Sequence, residues 1–261
     1  MPTFDSHPAG NFVWFELSTT DQSAAKQFYS SLLGWQTQDA PMGPDMIYTM
    51  FRLSGHDVAG GYTMKAEDRA LGIPPNWLIY ISVDSADATI ASALEHGGSA
   101  MSPAFEVPNV GRMAVLQDPD GAVFAIFQPG NHKGVQIFSE PGAFCWADLE
   151  TPDRERSIPF YSAVFGWEFL PGKDKDESGY LHIVNRGQYI GGLPPQRPLP
   201  PSVMPHWLPY IQCNDCATQT ARAAELGARI IVPVATVEGQ LTYSVLADPQ
   251  GAVFALFAPA H

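Results

Sequence analysis

Near the start of the chain, Val13, Phe15 and Leu17 alternate with Phe12, Trp14 and Glu16. That two-residue period belongs to a strand with one face in a core. The wholly apolar set is expected under helices, and the set containing Trp14 and Glu16 on the other face. A helix is expected over 21–33, opened by Thr20-Asp21 and stopped by Gly34 just past its end. Strands are expected around 46–53 and 57–64, followed by a proline-containing linker at 72–75. A strand at 77–83, a helix at 86–97 and two or three closing strands complete this half, the last two joined by a tight turn at Asp118-Pro119-Asp120-Gly121.

The pattern then begins again. GNFVWFELSTTDQSAAKQFYSSLLGW at 10–35 returns as GAFCWADLETPDRERSIPFYSAVFGW at 142–167, NWLIYI at 76–81 as HWLPYI at 206–211, and DPDGAVFAIFQP at 118–129 as DPQGAVFALFAP at 248–259. The sequence is a tandem duplication, with domains expected at 1–130 and 142–261 and a linker at 131–141. In the second half, strands fall at 144–149, 179–185, 188–192 and 207–213 and helices at 153–165 and 215–227. A dense proline stretch occupies 194–205. Each half reads as strand–helix–strands twice over.

Parity sorts the side chains. Phe144, Trp146 and Asp148 oppose Cys145, Ala147 and Leu149; Leu78 and Tyr80 oppose Trp77, Ile79 and Ile81; Leu208 and Tyr210 oppose Trp207 and Ile211. Aromatic residues and a carboxylate therefore recur at equivalent places on one face, which suggests a small-molecule cleft. Trp14, Tyr80, Trp146 and Tyr210 are the expected ligand-binding residues. Glu16 and Asp148 are the expected acid–base groups, or else carboxylates bonded to the neighbouring Tyr80 and Tyr210. Trp77 and Trp207 read as core. Phe28-Tyr29, Gly60-Gly61 with Gly191-Gly192, and Phe124 with Phe254 read as packing and turn chemistry.

With 45% hydrophobic and 16% charged residues, the chain has ample material for a core. Its net charge of -13 argues against nucleic acid or an anionic membrane as partner, since both call for a basic face. The start Met1-Pro2-Thr3-Phe4-Asp5 lacks the basic and apolar regions of a signal peptide, and no apolar run approaches the ~20 residues of a membrane span, so a cytoplasmic location is expected. Cys145, Cys213 and Cys216 are too few for a disulfide framework. Cys213-Asn214-Asp215-Cys216 has the spacing of a redox or zinc pair but lacks a second pair, and reads as ordinary buried thiols. No nucleophile elbow or phosphate loop is present, and Arg52, Arg112, Arg186 and Arg222 are scattered.

The run from strand to helix with Phe28-Tyr29 and Leu33-Gly34-Trp35, repeated as Phe160-Tyr161 and Phe165-Gly166-Trp167 and closed each time by DPDG or DPQG, resembles the vicinal oxygen chelate superfamily of glyoxalase I, bleomycin-resistance proteins and extradiol dioxygenases. The resemblance implies an α+β fold, each half built from two βαβββ units that form a half-barrel around a cleft. It also implies a divalent metal held by His, His or Gln, and Glu. The corresponding positions here are Trp14, Leu78 and Ala125 in the first half and Trp146, Leu208 and Ala255 in the second. None of these side chains can coordinate a metal, so no metal and no cofactor are expected. A rebuilt site would have to draw on Asp148, His182 and His206. His7, His56, His96, His132 and His261 read as surface, loop or terminal residues.

Three classes remain open. The leading one is a metal-independent protein that binds a small, partly apolar or aromatic molecule in its clefts, as in drug sequestration. The second is a lyase, isomerase or oxygenase acting on a small carbonyl or aromatic compound through Glu16 or Asp148. The third is a scaffold whose clefts are filled by its own side chains. Because a tandem pair can satisfy its own pairing surfaces, the duplication favours a monomer over a homodimer.

Overall fold

A computed structural model describes residues 3–43, 46–172, 178–200, 203–237 and 240–260. In chain order the first half contains β1 (Phe12–Thr19), α1 (Gln22–Leu33), β2 (Gln36–Pro41), β3 (Ile47–Leu53), β4 (His56–Thr63), α2 (Ala66–Ala70), β5 (Asn76–Ser82), α3 (Ala86–Glu95), β6 (Ser99–Ala100), β7 (Phe105–Val107), β8 (Gly111–Gln117) and β9 (Val123–Pro129). The second half contains β10 (Phe144–Glu150), α4 (Arg154–Phe165), β11 (Glu168–Pro171), β12 (Leu181–Asn185), β13 (Gln188–Leu193), β14 (His206–Gln212), α5 (Cys216–Glu225), β15 (Arg229–Val237), β16 (Leu241–Ala247) and β17 (Val253–Pro259). The short strands β2 and β11 and the single turn α2 were not anticipated. Asp39 and Thr49 share a hydrogen bond across β2 and β3, a pairing that local alternation does not reveal.

Each half forms one mixed sheet. The orders are β2-β3-β4-β1-β5-β9-β8-β6, with β7 also on β8, and β11-β12-β13-β10-β14-β17-β16-β15. Two βαβββ units thus meet at antiparallel central strands, β1 with β5 and β10 with β14. The α+β tandem duplication is the architecture observed. Helices α1 and α4 begin at Asp21 and Asp153, whose side chains accept the amides of Ala24 and Arg156. Both end at a left-handed glycine, Gly34 and Gly166.

The helix-bearing faces of the two halves pack on each other, α1 touching α5, α3 touching α4 and β5 touching β14. One continuous apolar core draws on both halves. Polar bonds cross it in pairs. The Trp35 indole donates to Gly142 O at 2.6 Å, and the Trp167 indole donates to Gly10 O at 2.9 Å.

Parity fails at one place in each half. The register of β1 shifts between Phe12 and Trp14, and that of β10 between Phe144 and Trp146. Each bulge turns the preceding phenylalanine over. Phe12 therefore packs edge-on against Trp167 and Trp207, and Phe144 stacks on Phe15. Both belong to the shared core, not to the opposite face where alternation puts them. The freed Val13 carbonyl accepts the amide of Val135, and Gln136 pairs with Asp57, so the connecting chain is stitched between the splayed ends of β1 and β4.

Candidate functional site

On the face of the first sheet that carries Trp14, the Glu16 carboxylate sits between two phenols. Tyr48 donates to Oε2 at 2.7 Å and Tyr80 donates to Oε1 at 2.8 Å. The Trp14 indole donates to the Tyr48 oxygen at 2.9 Å, leaving the Tyr48 proton for Glu16. The second sheet repeats the arrangement. Tyr180 donates to Asp148 Oδ1 at 2.5 Å and Tyr210 to Oδ2 at 2.8 Å, while the Trp146 indole lies 2.9 Å from both Asp148 Oδ1 and the Tyr180 oxygen. All six expected site residues therefore fall into two matching clusters, three in each sheet.

The register explains how they meet. Trp14 pairs with Tyr80 and Glu16 with Leu78 across β1 and β5; Trp146 pairs with Tyr210 and Asp148 with Leu208 across β10 and β14. Tyr48 and Tyr180 were missed by the sequence reading. They reach the carboxylates by lying across a glycine on the intervening strand, Gly60 opposite Glu16 and Gly192 opposite Asp148. A Cβ on Gly60 would overlap the Tyr48 hydroxyl, and one on Gly192 would overlap the Tyr180 hydroxyl. These two glycines thus make room for the site, beyond the turn and packing role assigned to them from sequence. The signal was present, since Tyr48 and Tyr180 share the spacing that relates Glu16 to Asp148.

Burial sets the electrostatics. It pushes the Asp148 carboxyl up to about 6, against the lowering effect of the Tyr180 and Tyr210 hydroxyls. Burial also raises Glu16, opposed by Tyr48 and Tyr80. All four phenols are held well above their ordinary range, first by burial and then by the adjacent carboxylate. They stay protonated and act as donors. Each carboxylate oxygen accepts about two hydrogen bonds. Asp148 Oδ1 accepts from both Tyr180 and Trp146, whereas Oδ2 and each Glu16 oxygen accept from one phenol apiece.

The two faces differ in cover. His132, from the connecting chain, packs edge-on against Trp14 at 4.8 Å, and Trp14 and Tyr80 are each 6% exposed. His132, in the loop between β9 and β10, is thus half-buried over the first face. In the second half, Trp146, Tyr180, His182 and Tyr210 all remain partly exposed above a buried Asp148. Leu208, Val245 and Ala255 extend that face as an apolar floor flanked by Tyr243 and Val232.

The donor set does not suit the metal that the resemblance implies. Trp14, Leu78 and Ala125 share one face of the first sheet, Trp146, Leu208 and Ala255 the matching face of the second, and the nearby carboxylates are engaged by phenols. His182 packs against Trp146, Tyr180 and Tyr189, whereas the His206 Nδ1 lies 2.8 Å from Met204 O at the strand's outer end. Among the described residues no three of His, Cys, Asp and Glu converge. His261 lies outside the described residues. Among the described residues, no helix is long and apolar enough to cross a membrane.

Residues 11–126 match the sequence profile described as "Glyoxalase/Bleomycin resistance protein/Dioxygenase superfamily", and residues 146–257 match one described as "Glyoxalase-like domain". The chain is 35% identical over 261 residues to "Putative glyoxylase CFP32" of Mycobacterium tuberculosis, covering 100% of this chain and 99% of that protein. It is 29% identical to "Anthracycline biosynthesis protein DnrV" of Streptomyces peucetius, covering 94% and 91%. In three dimensions it is similar to the Mn(II)-bound glyoxalase of Novosphingobium aromaticivorans, with a TM-score of 0.64 at 18% identity, covering 96% of this chain and 82% of the other.

Proposed function

Because the chain belongs to the glyoxalase/bleomycin resistance protein/dioxygenase superfamily yet presents phenol-held carboxylates on one face of each sheet, we propose that it binds a small aromatic molecule there without a metal. The observation that carries this reading is the duplicated Tyr–carboxylate–Tyr cluster beside a tryptophan. A planar ring system would lie against Trp146, Tyr180 and Tyr210, and a ligand N–H, O–H or ammonium group would meet Asp148 Oδ2. The net charge of -13 adds a long-range attraction for a cationic ligand. The relative named for anthracycline biosynthesis suggests ligands of this planar, oxygenated kind. The same reading makes the chain a monomer, since each half already covers the other's helix-bearing face.

The test is a fluorescence titration with daunorubicin, an aromatic quinone carrying one amine. Saturable binding that weakens about tenfold in Asp148→Asn or Glu16→Gln supports the reading, on the scale of one lost charge-assisted hydrogen bond. Unchanged affinity in both variants would reject it. A second reading, favoured by the single hydrogen bond to Asp148 Oδ2 and by its carboxyl near 6, is a general base acting on a bound carbonyl or aromatic substrate. In that case Asp148→Asn keeps binding and loses turnover.

A further inference from the structure

Residues 132–137 of the connecting chain cross β1 and β4 as a strap beside the first cluster. The Val135 amide donates to Val13 O at 2.9 Å and the Gln136 amide to Asp57 O at 2.7 Å, while the Asp57 amide donates back to the Gln136 side chain at 2.9 Å. Residues ahead of β1 hold the strap from the other side. His7 Nε2 donates to Val135 O at 2.8 Å, and the Phe4 amide donates to Gln136 O at 2.9 Å. Gly134 permits so close an approach, because its φ is 100° and a Cβ there would overlap the Val13 side chain and carbonyl. Val135 and Ile137 are fully buried. With its backbone groups paired and two side chains in the core, the strap is a fixed part of the fold.

The strap aims one ring at the first cluster. The Gly134 amide donates to His132 Nδ1 at 3.3 Å, and His132 Nε2 lies 3.9 Å from Asp57 Oδ2. Arg52 holds the same carboxylate at 2.7 Å. The imidazole so placed packs edge-on against Trp14 at 4.8 Å, on the wall where a planar ligand of this cluster would stack. Trp14 and Tyr80 are buried, whereas Glu16 and Tyr48 stay partly exposed. Water can reach the carboxylate, but a ring finds its wall taken.

The duplication supplies the comparison. Met50, Arg52 and Asp57 correspond to His182, Val184 and Tyr189 in the second half. The carboxylate that anchors the strap is thus replaced by a ring. Tyr189 packs on His182 at 4.8 Å and His182 on Trp146 at 5.9 Å, which extends the aromatic wall. Trp146, Tyr180 and Tyr210 all remain partly exposed. We infer, on the reading that these clusters take aromatic ligands, that the connecting chain is a built-in lid on the first cluster and that the folded chain offers a ring-sized ligand one site, on the second sheet.

The lid is tested first without a ligand. The full-length chain is treated with 2-hydroxy-5-nitrobenzyl bromide, a ring-sized reagent selective for tryptophan, and labelling is read by peptide mass spectrometry. Trp146 should be labelled severalfold faster than Trp14 in the parent, and His132→Ala should bring Trp14 close to the rate of Trp146. The buried Trp35, Trp77, Trp167 and Trp207 should stay unlabelled in both proteins, which shows that the variant is folded. Equal labelling of Trp14 and Trp146 in the parent, or no gain at Trp14 in the folded variant, would overturn the lid. Equilibrium dialysis with daunorubicin then counts the sites: one ligand per parent chain and two per His132→Ala chain are expected. Two per parent chain would overturn the single open site. Absence of binding to either protein would instead reject the aromatic-ligand reading, with the lid decided by the labelling alone.

Discussion

The Tyr29 hydroxyl donates to Asp248 Oδ2 at 3.0 Å across the boundary between the halves, and Tyr161 returns the same bond to Asp118 at 3.0 Å. The other oxygen of each aspartate accepts the amides of its own turn, residues 120–122 or 250–252. Trp77 and Trp207 donate to the two tyrosine oxygens. The repeated FY and DP-x-G segments are therefore the two sides of one lock that joins the duplicated domains.

Tyr29→Phe should lower unfolding free energy by about 1–3 kcal/mol, because it strands an Asp248 oxygen and the Trp77 indole in the core. Urea denaturation followed by fluorescence and by circular dichroism checks this. One coincident transition is expected in both proteins, since the core is shared.

Gly192→Ala should displace Tyr180 from Asp148, because the new methyl would occupy the space of the phenol oxygen. Daunorubicin affinity is expected to fall about tenfold and stability by about 1–3 kcal/mol. In a Tyr180→Ala background the same substitution should cost much less stability, and a double-mutant cycle measures the difference.

How far the sequence carried this picture varied with the range of the interaction. The repeat, the helix starts at Asp21 and Asp153, and the placement of Trp14, Glu16 and Tyr80 on one face were all legible, because each depends on residues close in sequence or on strict alternation. Phe12 and Phe144 were placed on the wrong face because one inserted residue reverses parity and leaves no compositional mark. Tyr48 and Tyr180 were overlooked because their role depends on a missing Cβ on a neighbouring strand. Tyr29 was read as packing because its partner lies 219 residues away.

Asp148 should also shape the pH dependence of stability. Its carboxyl is raised to about 6 in the folded chain from an ordinary value of 3.8, so between these values the folded state holds more protons than the unfolded one. Stability from this group is greatest below pH ~4, is lost as the pH rises towards ~6, and stays constant above, a change of about 3 kcal/mol. Asp148→Asn should remove that slope. Urea midpoints of both proteins from pH 4 to 7 check it: the variant should gain relative to the parent as pH rises.

The central claim is that the two phenol-held carboxylate clusters serve a ligand without a metal. Elemental analysis of untagged protein, after incubation with manganese, zinc and iron(II) and removal of free ions, tests it most directly. The account predicts much less than one mole of bound divalent metal per chain, with no change in Asp148→Asn. One mole per chain, lost in Asp148→Asn or His182→Ala, would contradict it.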